Sequence, residues 1–366
     1  MKIIAFYLPQ FHTFPENDEW WGKGFTEWVS VKNAKPLFKE HNQPRVPLDE
    51  NYYDLTEIEN LVWQAEIAKK YGVYGFCHYH YWFENKQLMQ QPTELMLNNA
   101  TVDIPFCLCW ANHDWSRAWA NKSREVLLKQ TYGDCHEWER HFYYLLPFFK
   151  DNRYIKINEK PLFVIYMPQN IPCLKDMIDL WQKLASENGL NGISFAYQDL
   201  EYNHIKNKTS DIFDFGIEYQ PNIAKKEEMV TLKYKVIRGL NKLADKFTFL
   251  QCKQTSMCLN YDKIWNRIIN KIPIDDKMIP GAFVDWDNTP RHKNRGSLFL
   301  GVTPEKFKYY LSKQIKHAKE VYKNDMLFMF AWNEWGESGY LEPDKKNGYK
   351  MLEAVKEALE ENEPIL

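Results

Sequence analysis

An α/β fold, a single (β/α)8 barrel of the TIM type with long loops after its first and sixth strands, is what the amino-acid sequence predicts. Three observations carry this. Eight short apolar or β-branched runs recur along the 366 residues, and near-continuous apolar runs are the mark of strands buried on both faces. Most are separated by segments of helical periodicity, the alternation of a parallel closed sheet. An open doubly wound sheet usually carries a Gly-rich phosphate turn after an early strand. Here the first run leads into Pro9, Gln10, Phe11 and His12 instead.

The runs are Ile3–Leu8, Gly75–Tyr79, Phe106–Trp110, Leu162–Met167, Ile193–Tyr197, Phe215–Tyr219, Gly281–Asp285 and Leu327–Trp332. Between them, Leu55–Tyr71 places Ile58, Leu61, Val62, Ala65 and Ala68 at helical spacing. Leu174–Asn188 is followed by Gly189, a natural residue just past a helix end. Pro304–Asn324 begins after Thr303 with proline in its first turn. Gly348–Glu360 closes the series. Two stretches exceed what a barrel needs: 13–51, rich in Trp, Pro and charge, and 221–277, a basic and predominantly helical insertion within one catalytic unit spanning 1–366. Loops that follow barrel strands lie on the active face, so the first is expected to wall a cleft, while the second reads either as a further wall or, by preference, as a solvated helical insert.

Composition narrows the function. The net charge of −2 gives no field to draw the chain to nucleic acid or an anionic surface. No run of about 20 apolar residues offers a membrane span. The start MKIIAFYLPQFH shows no signal peptide, which predicts a cytoplasmic protein. Seven cysteines without a metal-like or redox CxxC pair read as reduced, mostly buried thiols. Aromatic residues reach 16%, and flat rings suit either a large core or the apolar faces of sugars.

The segment FMFAWNEWGESGYLEP (328–343) carries the chemistry. A strand ends at Trp332 and polar residues follow at once. Glu334 and Glu337 stand three apart, and in a helical turn that spacing sets Cβ atoms about 5–6 Å apart. Such a pair suits glycosidic chemistry, where close carboxyls push their pKa values apart. ExxE alone is weak; Trp332, Asn333, Trp335 and the small Gly336, Ser338 and Gly339 give it context. Other strand ends carry similar groups: Tyr7, Gln10 and His12 at the first; His78 and His80 at the second, sharing one face by period two; Trp110, Asn112 and Trp115 after the third. Tyr166 and Tyr197 end the fourth and fifth, Glu218 and Tyr219 the sixth, Asp285 and Trp286 the seventh. In the first long loop, Glu27 and Trp28 belong to GFTEW, where Glu27 either meets a sugar hydroxyl or pairs with Arg45. The two histidines are read as donors to hydroxyls because no third ligand set accompanies them, and no metal or cofactor is expected. The expected partner is an oligosaccharide or polysaccharide.

AFYLPQFH, GFTEWVSVKNAKPLFKEHNQPRVP, GFCHYHYWF, CWANHDWSRAW and FAWNEWGESGYLEP together resemble the WbsX-type proteins. These are similar to family 99 glycoside hydrolases, the endo-α-mannosidases and endo-α-mannanases. The resemblance implies a (β/α)8 barrel and a retaining mechanism in which Glu334 is the base on a sugar 2-hydroxyl and Glu337 the acid/base, through a 1,2-anhydro sugar. Where those hydrolases tend to carry histidine after the tryptophan, this chain has Gly336. The WbsX name belongs to surface-polysaccharide gene clusters, where such proteins are labelled glycosyltransferases, so transfer in O-antigen or capsule assembly is the alternative to cleavage. Asp285–Trp286–Asp287 has the letters of a nucleotide-sugar DxD motif but stands at a barrel end. A non-catalytic glycan-binding barrel is the third reading.

Overall fold

A computed structural model of the chain describes residues 1–84, 86–116, 125–200, 211–230 and 257–363. The barrel strands are β1 (Lys2–Tyr7), β2 (Val73–Phe83), β3 (Phe106–Trp110), β4 (Lys160–Ile165), β5 (Ser194–Asp199), β6 (Phe215–Glu218), β7 (Met278–Ile279 and Gly281–Phe283) and β8 (Met326–Phe330). All neighbours pair in parallel. Ile3 stands opposite Leu327, Ala5 opposite Phe76, Cys77 opposite Cys107, Cys109 opposite Val164, and Phe163 opposite Phe195.

The ring closes at β7, where the sequence gives a run only from Gly281 onward. Met278–Ile279 pairs with β6 and Gly281–Phe283 pairs with β8, while Pro280, with no N–H to donate, stands between. Gly281 is required there: an added Cβ would lie 1.9 Å from the Glu218 carbonyl oxygen. β2 is longer than its apolar run, because Tyr81 to Phe83 continue into a hairpin with Lys86–Leu88.

Helices Ile58–Lys70, Gln91–Asn98, Cys135–Lys150, Leu174–Glu187, Tyr261–Ile269, Pro304–His317 and Lys350–Glu360 follow strands of the ring. Thr303 caps its helix through Oγ1, as its position before Pro304 predicts. The helix ending at His317 passes into a wider turn over Ala318–Tyr322. Of the expected helical insertion, Asn222–Met229 and Tyr261–Ile269 are helical, but Met257–Asn260 is a strand paired in parallel with Ser297–Leu300 outside the ring. Residues 231–256 lie outside the described residues. Among the described residues no helix is long and apolar enough to cross a membrane.

The interior of the ring is aromatic. Phe6 stacks on Tyr79, with centroids 5.6 Å apart, and meets Tyr219 and Phe328. Side chains alternate along each strand, so Phe6 facing inward sends Tyr7 outward, and Tyr79 facing inward sends His78 and His80 outward.

Candidate active site

Beyond β8 the chain makes a tight hairpin. Asn333–Glu334 pairs antiparallel with Gly339–Tyr340 around a single 3-10 turn, Trp335–Glu337. Residues three apart nearly eclipse in that turn, which brings Glu334 and Glu337 to one side. Asn333 fixes the hairpin to β1: its Oδ1 accepts from Leu8 N at 2.8 Å and its Nδ2 donates to Leu8 O at 3.0 Å. Trp335 stacks on Tyr340 at 3.7 Å and donates to Glu342 at 2.6 Å. Ser338 takes the left-handed conformation, φ 56°, that turns the chain back.

One guanidinium organises the carboxyls. Arg291 Nε lies 2.8 Å from Glu27, Nη2 3.2 Å from Glu334 and Nη1 3.3 Å from Glu337. Oxygens held by neighbouring nitrogens of one guanidinium are closer together than the roughly 9.5 Å of the widest carboxyl pairs in glycosidases. A single cation among three carboxyls, two of them buried, cannot neutralise them all. Burial, with Glu337 and Glu27 nearby, pushes Glu334 up to about 8 against the pull of Arg291. Gly336 leaves the room this arrangement needs: a Cβ there would lie 1.8 Å from Glu27 Oε1 and 2.7 Å from Arg291 Nε. The Glu27–Arg291 pair fills the space a larger residue would take.

The carboxyls form one wall of a cavity of about 220 Å³. Tyr79, Tyr81, Trp115, Tyr166 and Tyr219 supply rings, and Gln10, His113, Asp114 and Arg291 supply polar groups. The buried Lys225 sets its ammonium 3.4 Å over the Trp286 ring. Burial lowers this lysine to about 7, opposed by the Glu337 charge.

Of the sequence-predicted residues, Gln10, Trp115, Tyr166, Tyr219, Glu334 and Glu337 meet in this cavity, with Glu27 bonded to it through Arg291. Glu27 does not pair with Arg45, whose partner is Asp285 at 2.6 Å. His78 and His80 face the helices, not the cavity. His78 stacks on Tyr7 at 4.1 Å, and His80 Nε2 lies 2.9 Å from His141 Nε2. Burial pushes both down to about 3, so both stay neutral. The period-two spacing was right, but the inward parity belongs to Tyr79 and Tyr81.

The other expected residues build the frame. Tyr7 donates to Gln64, which donates to Glu342. His12 bonds the Pro9 carbonyl, Trp28 the Tyr53 carbonyl, and Trp110 the Trp82 carbonyl. Asn112 clamps Met167 through both its N and its O. Tyr197 points at Met278, Trp286 bonds Ser297, and Trp332 packs on Phe76. Glu218 sits buried near Lys271, 4.0 Å away, and is pushed up to about 7 by desolvation. Among the described residues no group of three His, Cys, Asp or Glu is placed to hold a metal.

Arg291 is the residue the sequence reading missed. The available signal was its place in TPRHKNRG, a basic run in the loop after the seventh strand, on the face where barrel loops carry function.

Comparison with known proteins agrees with this architecture. The family model described as Glycosyltransferase WbsX matches residues 3–355. Protein WxcX of Xanthomonas campestris pv. campestris strain B100 is 33% identical over 98% of this chain and 49% of its own length. Its counterpart in strain ATCC 33913 is 32% identical with the same coverage. The chain thus spans about half the length of these curated relatives. Among solved structures, the GH99 endo-alpha-mannosidase of Bacteroides thetaiotaomicron superposes with a TM-score of 0.55 at 14% identity, covering 98% of this chain and 96% of that one. A glycoside hydrolase-like protein gives 0.57 at 12% identity, covering 98% and 93%. At these identities the likeness is one of fold.

Proposed function

The chain belongs to the WbsX glycosyltransferase family and is a carbohydrate-active enzyme, and from that premise we propose that it cleaves α-mannoside-like linkages of a bacterial glycan with retention, through Glu334 and Glu337. The observation that carries this reading is the Arg291 bridge, which sets both carboxyls at one wall of a ring-lined cavity. In the first step Glu334 takes the proton from the sugar 2-hydroxyl. O2 then bonds to C1 as the bond from C1 to the leaving oxygen breaks, and Glu337 gives that oxygen its proton. In the second step Glu337 takes a proton from water, the water oxygen bonds to C1, the C1–O2 bond breaks, and Glu334 returns the proton to O2.

A base must be ionised to act, and Glu334 is held up to about 8. The pH profile of kcat/KM therefore carries a limb in that region, set by the Glu334 proton. A profile flat through that region would show that protonation of Glu334 does not govern the reaction. Glu337→Gln lowers turnover of α-mannan-type oligosaccharides by roughly 10²- to 10⁴-fold; unchanged turnover would falsify the assignment.

The family description favours transfer as the second reading. The same steps give it when an acceptor hydroxyl takes the place of water. Chromatography of the products separates the two, since hydrolysis releases new reducing ends and transfer lengthens the acceptor. Calorimetric binding of nucleoside diphosphate sugars, absent in the first reading, points to a nucleotide-linked donor.

A further inference from the structure

The cavity over the carboxyl pair does not end at Arg291. Gln10, Trp21 and Arg291 also line a second cavity of about 220 Å³, between the long loop after β1 and the loop after β7. Its walls are of two kinds. Trp21 and Phe25 form an aromatic pair, with centroids 5.8 Å apart and planes 31° from parallel. The run from Pro290 brings His292, Lys293 and Arg295 to the same space.

The charges there are unbalanced. Glu27 is the one acidic residue in the lining, and it is already bonded to Arg291. Arg291 in turn is committed to three carboxyls. Lys293 and Arg295 are exposed, and neither has an ion-pair partner among the described residues. Two uncommitted cations beside a pair of flat rings match a ring-shaped ligand that bears a negative group. Rings take the apolar face of a pyranose, and an arginine fork takes a carboxylate with two parallel bonds.

Resting on the reading of the adjoining cavity as a glycan site, we propose that this second cavity is a subsite for an acidic sugar. Its carboxylate is held by Lys293 and Arg295, and its ring lies against Trp21 and Phe25. The substrate class is then a glycan with a uronic acid unit beside the cleaved or transferred residue.

Thermal unfolding of the full chain tests this, with D-glucuronate against D-glucose and D-mannuronate against D-mannose, at equal concentration and ionic strength. Ligand bound to the folded state raises Tm by mass action. Each uronate is expected to raise Tm by at least about twice as much as its neutral counterpart. That advantage disappears in the Lys293→Ala/Arg295→Ala double variant, whose response to the neutral sugars is unchanged. Equal shifts in the wild type, or an advantage that survives in the double variant, overturn the proposal. A larger shift with mannose 1-phosphate than with either uronate also overturns it, and gives the cavity to phosphate. Turnover plays no part in this readout, so its failure is distinct from failure of the Glu334–Glu337 mechanism, which Glu337→Gln tests alone.

Discussion

Arg291 bridges three acids at once. Its guanidinium reaches Glu27, Glu334 and Glu337 with three different nitrogens, a span a lysine ammonium cannot reproduce. Arg291→Gln removes the cation that opposes the upward push on Glu334. The Glu334 limb of the pH profile then moves further up, and kcat/KM at neutral pH falls by roughly 10²-fold or more. A pH–rate series checks both, and an unmoved limb would show that the arginine does not set the charge of Glu334. At this scale the acids were legible, since Glu334 and Glu337 share a short segment with their flanking tryptophans. Their cation was not, because it lies 43 residues from Glu334 and 264 from Glu27, and nothing local couples them.

Strand parity and strand closure are properties of elements. The alternation along β2 could be read from GFCHYHYWF, but not which phase faces inward. Histidine and tyrosine are both amphipathic, so the pattern has no clear polar face, and packing decides. His141 on the helix Cys135–Lys150 meets His80, and Phe6 meets Tyr79, so the tyrosines turn in. β7 was legible only in its second half, because Pro280 interrupts it and the chain changes partners there. Closure at that point depends on Gly281, where any side chain meets the backbone of β6. Gly281→Ala is expected to cost about 3 kcal/mol or more, or to abolish folding, since a carbonyl cannot step aside as a flexible side chain can. Urea unfolding measures the loss, and a cost below about 1 kcal/mol would mean the strands part without penalty.

The long loop after β1 is held to the barrel at Asp287. Its Oδ2 accepts from His41 Nε2 and Gln43 Nε2, both at 2.7 Å, and its Oδ1 accepts from Thr289. Burial raises this acid, but the bonds from His41, Thr289 and Gln43 and the Arg45 charge outweigh it and hold it below its usual range. Asp287→Ala leaves these donors unpaired and is expected to cost about 2–4 kcal/mol. It should also expose the loop to proteolysis, with cleavage between 33 and 47 as the readout. Glu218 and Glu342 act in the opposite sense. Both are pushed by burial to about 7 from an ordinary 4.5. The folded state therefore binds the extra protons, and their contribution to stability is full below about 4.5 and lost as pH rises to about 7. Glu342→Gln should flatten that part of the pH–Tm curve; an unchanged slope assigns it elsewhere. The sequence by itself determined the eight-strand alternation, the place of the carboxyl pair at the last strand end and the ring-rich face, because each is written in local periodicity or in one short motif. The tertiary structure alone decided which side of each strand looks inward, which cation serves the acids and what holds the long loop. Those depend on contacts between separate elements, 61 positions apart for His80 and His141 and 240 or more for the loop contacts and for Glu27 with Arg291, and the pairing of distant side chains leaves no periodic trace in the chain.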